Sequence, residues 1–174
     1  MIEYDFTLTF NFSDGTKDPE FYIEKLINSG CDDALIGIGK KGKIALNFTR
    51  ESDSALTALC SAIEDVKSAI PDAMLIEATP DFVGLSDIAE VLGYSRQNIR
   101  KLMLNHQTDF PSPIHEGSSA IWHLSNVLSW FKQGERYQID ESLFDIAKAN
   151  MQLNIVKDSI NLDPIMNKKI CTVL

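Results

Sequence analysis

The sequence predicts an α+β protein made of two small folded units and a C-terminal helix. Three features support this class: strand-like alternation near the N-terminus, an ordered series of strands and helices through the first half, and a change to short helices after Thr79-Pro80-Asp81. A chain of 174 residues is long enough for two small domains. The predicted segments are residues 1–80, 81–133 and 134–174. In the last segment, residues 139–157 are predicted to form a helix capped by Asp140, with an apolar stripe that Asn150 and Asn154 interrupt, and residues 158–174 are expected to be a partly ordered tail.

The first strand and helix are predicted from periodicity and from helix-start signals. In residues 5–12, DFTLTFNF, apolar residues alternate with polar ones, which is the period of a strand with one buried face. Asp18 is expected to cap the following helix, and Pro19 occupies its first position, where proline is favoured. Gly30 is expected to end this helix.

A hairpin is predicted next. Residues 34–39 and 44–49 are short apolar segments, and the lysine-rich segment Lys40–Lys43 joins them. We interpret these lysines as a solvated turn rather than as an anion site.

A second helix and a last strand complete the N-terminal unit. Ser52 or Asp53 is expected to cap the helix, Pro71 to terminate it, and residues 73–78 to form the strand. The order across residues 4–78 is therefore strand, helix, strand, strand, helix, strand, which predicts a ferredoxin-like domain. That fold hosts many unrelated functions, so it does not by itself identify one.

Two short helical patterns separated by a glycine follow in residues 84–104, GLSDIAEVLGYSRQNIRKLML. Ser86 is expected to cap the first helix and Ser95 the second, and Gly93 allows the turn between them. On the second helix, apolar residues point one way and a polar group points the other way. The members of that polar group are Arg96, Gln97, Arg100 and Lys101.

A hairpin and a third helix are predicted after these two helices. Phe110–Pro113 leads into an extended segment that ends at His115, residues 116–119 form a turn, and residues 120–124 return as a strand. Ser125 is expected to cap the third helix, which packs under the first two.

These residues resemble the winged helix-turn-helix family that includes MerR-type regulators and the AlpA or phage-excisionase type. The resemblance rests on GLSDIAEVLGYSRQNIRKL, DFPSPI and IWHLSNVLSWF, and it covers residues 84–132 of the chain. In that family the second helix enters the major groove, and the wing meets the backbone or the minor groove. The wing tip here, Glu116–Ser119, lacks the basic residue that such wings often carry. The resemblance implies DNA contacts by Ser95, Arg96, Gln97, Asn98, Arg100, Lys101, Ser118 and Ser119.

The charge distribution limits the kind of nucleic-acid binding. The net charge of −9 argues against a general nucleic-acid coat, because phosphate attraction dominates non-specific affinity. Residues 1–80 hold 7 basic and 14 acidic side chains, whereas residues 81–133 hold 4 basic and 5 acidic ones. A DNA site in the second unit would therefore be a local basic strip on an acidic body.

The remaining composition excludes several classes of site. The chain has three cysteines and three histidines: Cys31, Cys60, Cys171, His106, His115 and His123. Their spacings match no disulfide framework and no metal motif, so we predict neither a metal nor a cofactor and expect a reducing cytoplasm. No apolar run approaches the roughly 20 residues that span a bilayer.

The sequence therefore predicts a non-enzymatic, sequence-specific double-stranded DNA-binding protein, a transcription regulator of a bacterium or a mobile element. We expect a homodimer, whose two-fold symmetry would match a palindromic site. The alternative is a protein-binding adaptor, such as an antitoxin or inhibitor subunit, that holds a basic partner through its acidic N-terminal domain. An acylphosphatase-like enzyme is disfavoured because Arg50 is the only arginine in residues 1–80 and no glycine-rich cradle accompanies it.

Overall fold

The structure, a computed structural model, describes residues 1–134 and 138–174. It is a mixed α+β chain with one four-stranded antiparallel sheet. The strands are β1 (Ile2–Asn11), β2 (Ala34–Lys40), β3 (Lys43–Ser52), β4 (Met74–Thr79), β5 (Phe82–Val83) and β6 (Trp122–His123). The helices are α1 (Ile23–Asn28), α2 (Ala55–Ala69), α3 (Leu85–Val91), α4 (Arg96–Asn105), α5 (Leu124–Gln133), α6 (Glu141–Ser159) and α7 (Pro164–Val173).

The four-stranded sheet has the order β2-β3-β1-β4, and each strand is antiparallel to its neighbours. The predicted order of strands and helices through β4 is confirmed. Alternation places one side chain of every two on the helix-covered face, as in the pair Phe6 and Phe48, whose rings stack 5.3 Å apart. The other face carries polar residues such as Thr9 and Asn47 and is open to solvent.

Two helix starts differ from the predicted ones. Asp18 caps as expected, but the helix begins as a 3₁₀ turn over Pro19–Tyr22 before α1. The cap of α2 is Ser54, whose hydroxyl accepts the Thr57 backbone N–H at 3.1 Å, so the prediction of Ser52 or Asp53 was wrong. The reason is that β3 continues to Ser52, which moves the helix start towards the C-terminus.

Arg50 on β3 forms hydrogen bonds both to the loop before β2 and to α2. Its guanidinium donates to both Asp33 carboxylate oxygens, at 2.6 and 3.0 Å, and to Asp65 at 2.8 Å. Its remaining N–H groups reach Ser61 Oγ at 3.0 Å and the Gly30 carbonyl at 2.7 Å. Burial lowers the pKa of Arg50, but the hydrogen bonds and charges of Asp33 and Asp65 outweigh it, so the pKa lies above its usual value. All five donors are therefore committed to the protein itself.

Helix α6 packs on the chain's own domains and joins their two apolar cores. Its cap is Asp140, as predicted, and the helix lies two residues later than the predicted range 139–157. Ile146 is buried in the core between the sheet and its helices, whereas Ala147 is buried in the core of residues 83–131. Adjacent residues of one helix therefore belong to different cores.

A buried polar network lies where β4, β6 and α6 meet. Asp81 is fully buried, and its carboxylate contacts His123 Nδ1 at 2.7 Å and accepts a hydrogen bond from Asn154 Nδ2 at 2.8 Å. Asn154 also bonds both backbone groups of Ala78, at 2.8 and 3.0 Å. One turn earlier on α6, Asn150 donates to the Pro80 carbonyl at 3.1 Å. This junction network connects the sheet to the second unit through the side chains of α6.

The C-terminal segment differs from the partly ordered tail that was expected. It forms α7, whose cap Asp163 accepts the backbone N–H groups of Ile165 and Met166. No residue of α7 is buried. In the part of the chain that the structure describes, no helix is both long and apolar enough to cross a membrane.

Replacing Asn154 by alanine is expected to lower the free energy of unfolding by about 2–4 kcal/mol. The substitution leaves the Asp81 carboxylate and the Ala78 backbone groups buried with fewer partners. Urea denaturation followed by circular dichroism measures the change. Asn126→Ala is the control, because Asn126 is exposed on α5. Equal stability of the two variants would show that the junction network is not a stabilising contact.

Candidate nucleic-acid interface

Helices α3 and α4 are joined by a tight turn at Gly93. Gly93 has a φ of 68°, a left-handed conformation that residues with a Cβ adopt at a cost. The cap of α3 is Gly84, so the prediction of Ser86 was wrong. The Gly84 N–H donates to the Asp87 carboxylate at 2.7 Å, so the capping position is Gly84 and α3 begins at Leu85.

Helix α4 is fixed at its start and along its apolar side. Ser95 caps it as predicted, and its hydroxyl accepts the Asn98 N–H at 3.2 Å. Ile99 is buried, and Leu102 and Met103 are half-buried against the core of the second unit. These contacts hold one side of α4 to the protein, so the opposite side faces solvent.

All six helix residues implied by the family resemblance are exposed: Ser95, Arg96, Gln97, Asn98, Arg100 and Lys101. Within residues 1–134 and 138–174, no carboxylate lies at salt-bridge distance from Arg96, Arg100 or Lys101. This differs from Arg50, whose charge is neutralised by Asp33 and Asp65. The three cations on α4 are thus available to a ligand.

The wing, which we define as residues 114–121, is shorter than predicted. Its two arms meet through a single bridge, in which the Ile121 N–H donates to the His115 carbonyl at 3.0 Å and the Ile114 N–H donates to the Ile121 carbonyl at 2.8 Å. The returning strand β6 pairs instead with β5, where Phe82 faces His123 and Val83 faces Trp122. Strand β5 was not predicted from the sequence, because a two-residue strand is too short to show periodicity.

A groove of about 720 Å³ separates α4 from the wing. Four of the eight implied contacts line it: Arg96, Arg100, Ser118 and Ser119. The other four, which are Ser95, Gln97, Asn98 and Lys101, do not line this groove. The start of α3 forms its floor through residues 84–87, which the sequence analysis did not assign to the site. The glycine at position 84 is the one sequence feature that could have indicated them, because a residue without a side chain leaves space between α3 and the wing.

Helix α5 supports α4 and the wing from below. Val127, Leu128 and Phe131 are buried in the same core as Ile99. The N-cap is His123, and Ser125 is a buried residue inside the helix, so the prediction of a Ser125 cap was wrong. The Ser125 hydroxyl contacts Met151 Sδ of α6 at 3.1 Å, which explains why a serine is tolerated there.

Among the described residues, no group of three or more His, Cys, Asp or Glu side chains is arranged to hold a metal ion. Arg50 has no donor left for a phosphate, because its five N–H groups bind protein acceptors. Comparison with family models, curated proteins and solved structures finds no match to this chain.

Replacing Gly93 by alanine is expected to destabilise the second unit by about 1 kcal/mol, because alanine must adopt a left-handed conformation at this turn. The cause is the backbone alone, since an added Cβ at Gly93 meets no atom within 4 Å. Urea unfolding followed by the fluorescence of Trp122 and Trp130, both buried in this unit, measures the change. Gly15→Ala is the matched control, because its Cβ also meets nothing and its φ is not left-handed. Unchanged stability of Gly93→Ala would contradict the turn geometry.

Proposed function

We propose that this protein binds double-stranded DNA in a sequence-specific manner through α4 and the wing, as a transcription regulator. One observation carries the proposal: α4 holds three exposed cations that have no carboxylate partner among the residues the structure describes, in a chain whose net charge is −9. Unpaired cations clustered on one helix face of an acidic protein favour an anionic ligand of defined shape. DNA fits this description, since an α-helix is about as wide as the major groove.

The proposal includes a finer description of the fold. We assign residues 1–80 to a ferredoxin-like domain and residues 81–133 to a winged helix-turn-helix domain. The strand order β2-β3-β1-β4 and the glycine turn between α3 and α4 support these assignments. The C-terminal segment 134–174 then supplies α6, which fixes one domain against the other.

The groove residues suggest how the duplex is held. Arg96 and Arg100 lie on the wing side of α4, where a guanidinium can donate two hydrogen bonds to a guanine edge. Gln97 and Asn98 carry amides, which can pair with adenine in the same way. Ser118 and Ser119 present hydroxyls across the groove, so the wing would donate neutral hydrogen bonds to phosphate rather than ionic ones.

The acidic residues of the N-terminal domain favour sequence-specific over non-specific DNA binding. Acidic residues of the N-terminal domain repel the phosphate backbone, so DNA contacts away from the cations of α4 are disfavoured. Non-specific affinity should therefore be low, and a large share of the specific affinity should come from base contacts. A second copy on the same duplex would double these contacts.

Replacing Arg96 or Arg100 by alanine is expected to weaken specific binding by about 1–3 kcal/mol each, because each loses a base contact. Lys101→Ala should weaken binding to all sequences and reduce the slope of log affinity against log salt by about 1. The site is first selected from random duplex DNA, and binding is then titrated by fluorescence anisotropy at several salt concentrations.

Lys67→Ala is the control for these variants, because Lys67 is an exposed cation on α2, away from the groove. It should bind the selected DNA like the unmodified protein. Failure to enrich any sequence, or full affinity of both arginine variants, would rule out this function for α4.

A protein-binding adaptor is the second candidate, and the open face of the sheet favours it. Glu3 lies directly opposite Glu51 across β1 and β3, and both are exposed. Like charges in this position are destabilising, so the pair would be stabilised by a basic partner.

A stoichiometric partner that co-purifies with the full chain tests this candidate. We expect Glu3→Lys with Glu51→Lys to release the partner, whereas Arg96→Ala should retain it. Retention of the partner by the charge-reversed variant would exclude the open face as its binding site.

A further inference from the structure

Helix α7 has an apolar side that the rest of the described chain does not cover. Every residue from 158 to 174 is exposed. Within the described chain, neither apolar core includes a residue beyond Leu153. The other exposed large apolar side chains of the described residues are spread over residues 1–114, whereas nine are concentrated in the last 20 positions. These nine are Ile155, Val156, Ile160, Leu162, Ile165, Met166, Ile170, Val173 and Leu174.

A helix of this kind needs a partner in order to remain helical. Helix α7 has ten residues, whereas isolated helices shorter than about 12–15 residues are marginal in water even when they are rich in alanine. Four of its residues are β-branched, which lowers helix propensity further. The Asp163 cap stabilises only the first turn. Burial of the apolar side against another molecule must therefore supply the remaining stabilisation.

The apolar side of α7 has the shape that pairs with another helix. Met166, Ile170 and Val173 are separated by four and three residues, which is the spacing of the seam between paired helices. A shallow cavity of about 120 Å³ lies on this seam. Four of its lining residues, Asp163, Met166, Asn167 and Ile170, have the spacing i, i+3, i+4, i+7 of a hole that receives one side chain of a facing helix.

A second α7 meets these requirements. A two-fold interface uses the same patch on both subunits, so one helix that carries both a seam and a hole can serve on both sides. Each large apolar side chain can bury roughly 60–120 Å². The nine side chains of each copy therefore approach the roughly 800 Å² per partner that a stable interface buries. An anionic membrane surface is disfavoured as the partner, because the chain has a net charge of −9.

We propose that a second copy of this chain docks on α7, so that the two α7 helices pair through Met166, Ile170, Val173 and the apolar residues beside them. The interface does not require DNA, so it does not depend on the proposed function and can fail without affecting it. Together with that function, the dimer would present two α4 helices to one duplex, as a palindromic site requires.

Sedimentation equilibrium of the full chain without DNA tests this proposal. The unmodified protein should be a dimer. Met166→Glu should raise the dimer dissociation constant about 10-fold or more, because it places a charge in the apolar seam. Cys171→Glu is the matched control, because it adds the same charge to the same helix. Cys171 is exposed and lies five residues from Met166, on the side of α7 away from the seam, so this variant should remain dimeric.

Helix content gives a second readout that is independent of mass. Dilution below the dissociation constant should lower the helical circular dichroism signal, because α7 is too short to persist alone. Removal of residues 160–174 should give a monomer whose helical signal no longer changes on dilution. The fluorescence of Trp122 and Trp130 should be unchanged in that variant, because neither core loses a residue.

Two results would overturn the proposal. The first is a full chain that remains monomeric in solution; helix gained only on addition of phosphatidylcholine–phosphatidylglycerol vesicles would then assign α7 to a membrane surface. The second is a dimer that persists both in Met166→Glu and after removal of residues 160–174, since such a dimer must use another surface.

Discussion

The buried carboxylate of Asp81 is the constraint on which the arrangement of the two units depends. A charged or polar group without solvent must find its partners within the protein, and the partners of Asp81 come from β6 and from α6. Asn154 adds both backbone bonds to Ala78, so one side chain closes the end of β4 as well. Apolar packing alone would allow the units to slide, whereas these directional bonds allow one arrangement.

The same network positions the proposed DNA-binding surface. His123 is the residue at which β6 ends and α5 begins, so its contact with Asp81 fixes both the return strand of the wing and the helix beneath α4. Ile99 then fixes α4 against that core. The distance from the sheet to the groove is therefore set by a short series of buried contacts, each of which is independent of the exposed cations.

Periodicity predicted most of the strands and helices because each has one buried face. The order of elements in the first unit and the caps Asp18, Ser95 and Asp140 followed from local sequence. The junction network did not, because Asn150 and Asn154 appear in the sequence as interruptions of an apolar stripe, and their partners Pro80 and Ala78 lie 70 and 76 positions away. The candidate site could likewise be predicted only in part, because some of its residues depend on contacts between distant segments. The residues exposed on α4 follow from helical geometry, whereas the closure of the groove by residues 84–87 depends on the pairing of β5 with β6.

The distribution of charge follows the division into two units. The N-terminal unit contributes most of the negative charge, whereas the exposed cations of α4 lie in the other unit. Because α6 is buried in both apolar cores, the acidic surface and α4 are held in one arrangement. A polyanion bound in the proposed manner would be attracted by α4 and repelled by the acidic unit, so the favoured ligand is one whose contacts stay on α4 and the wing.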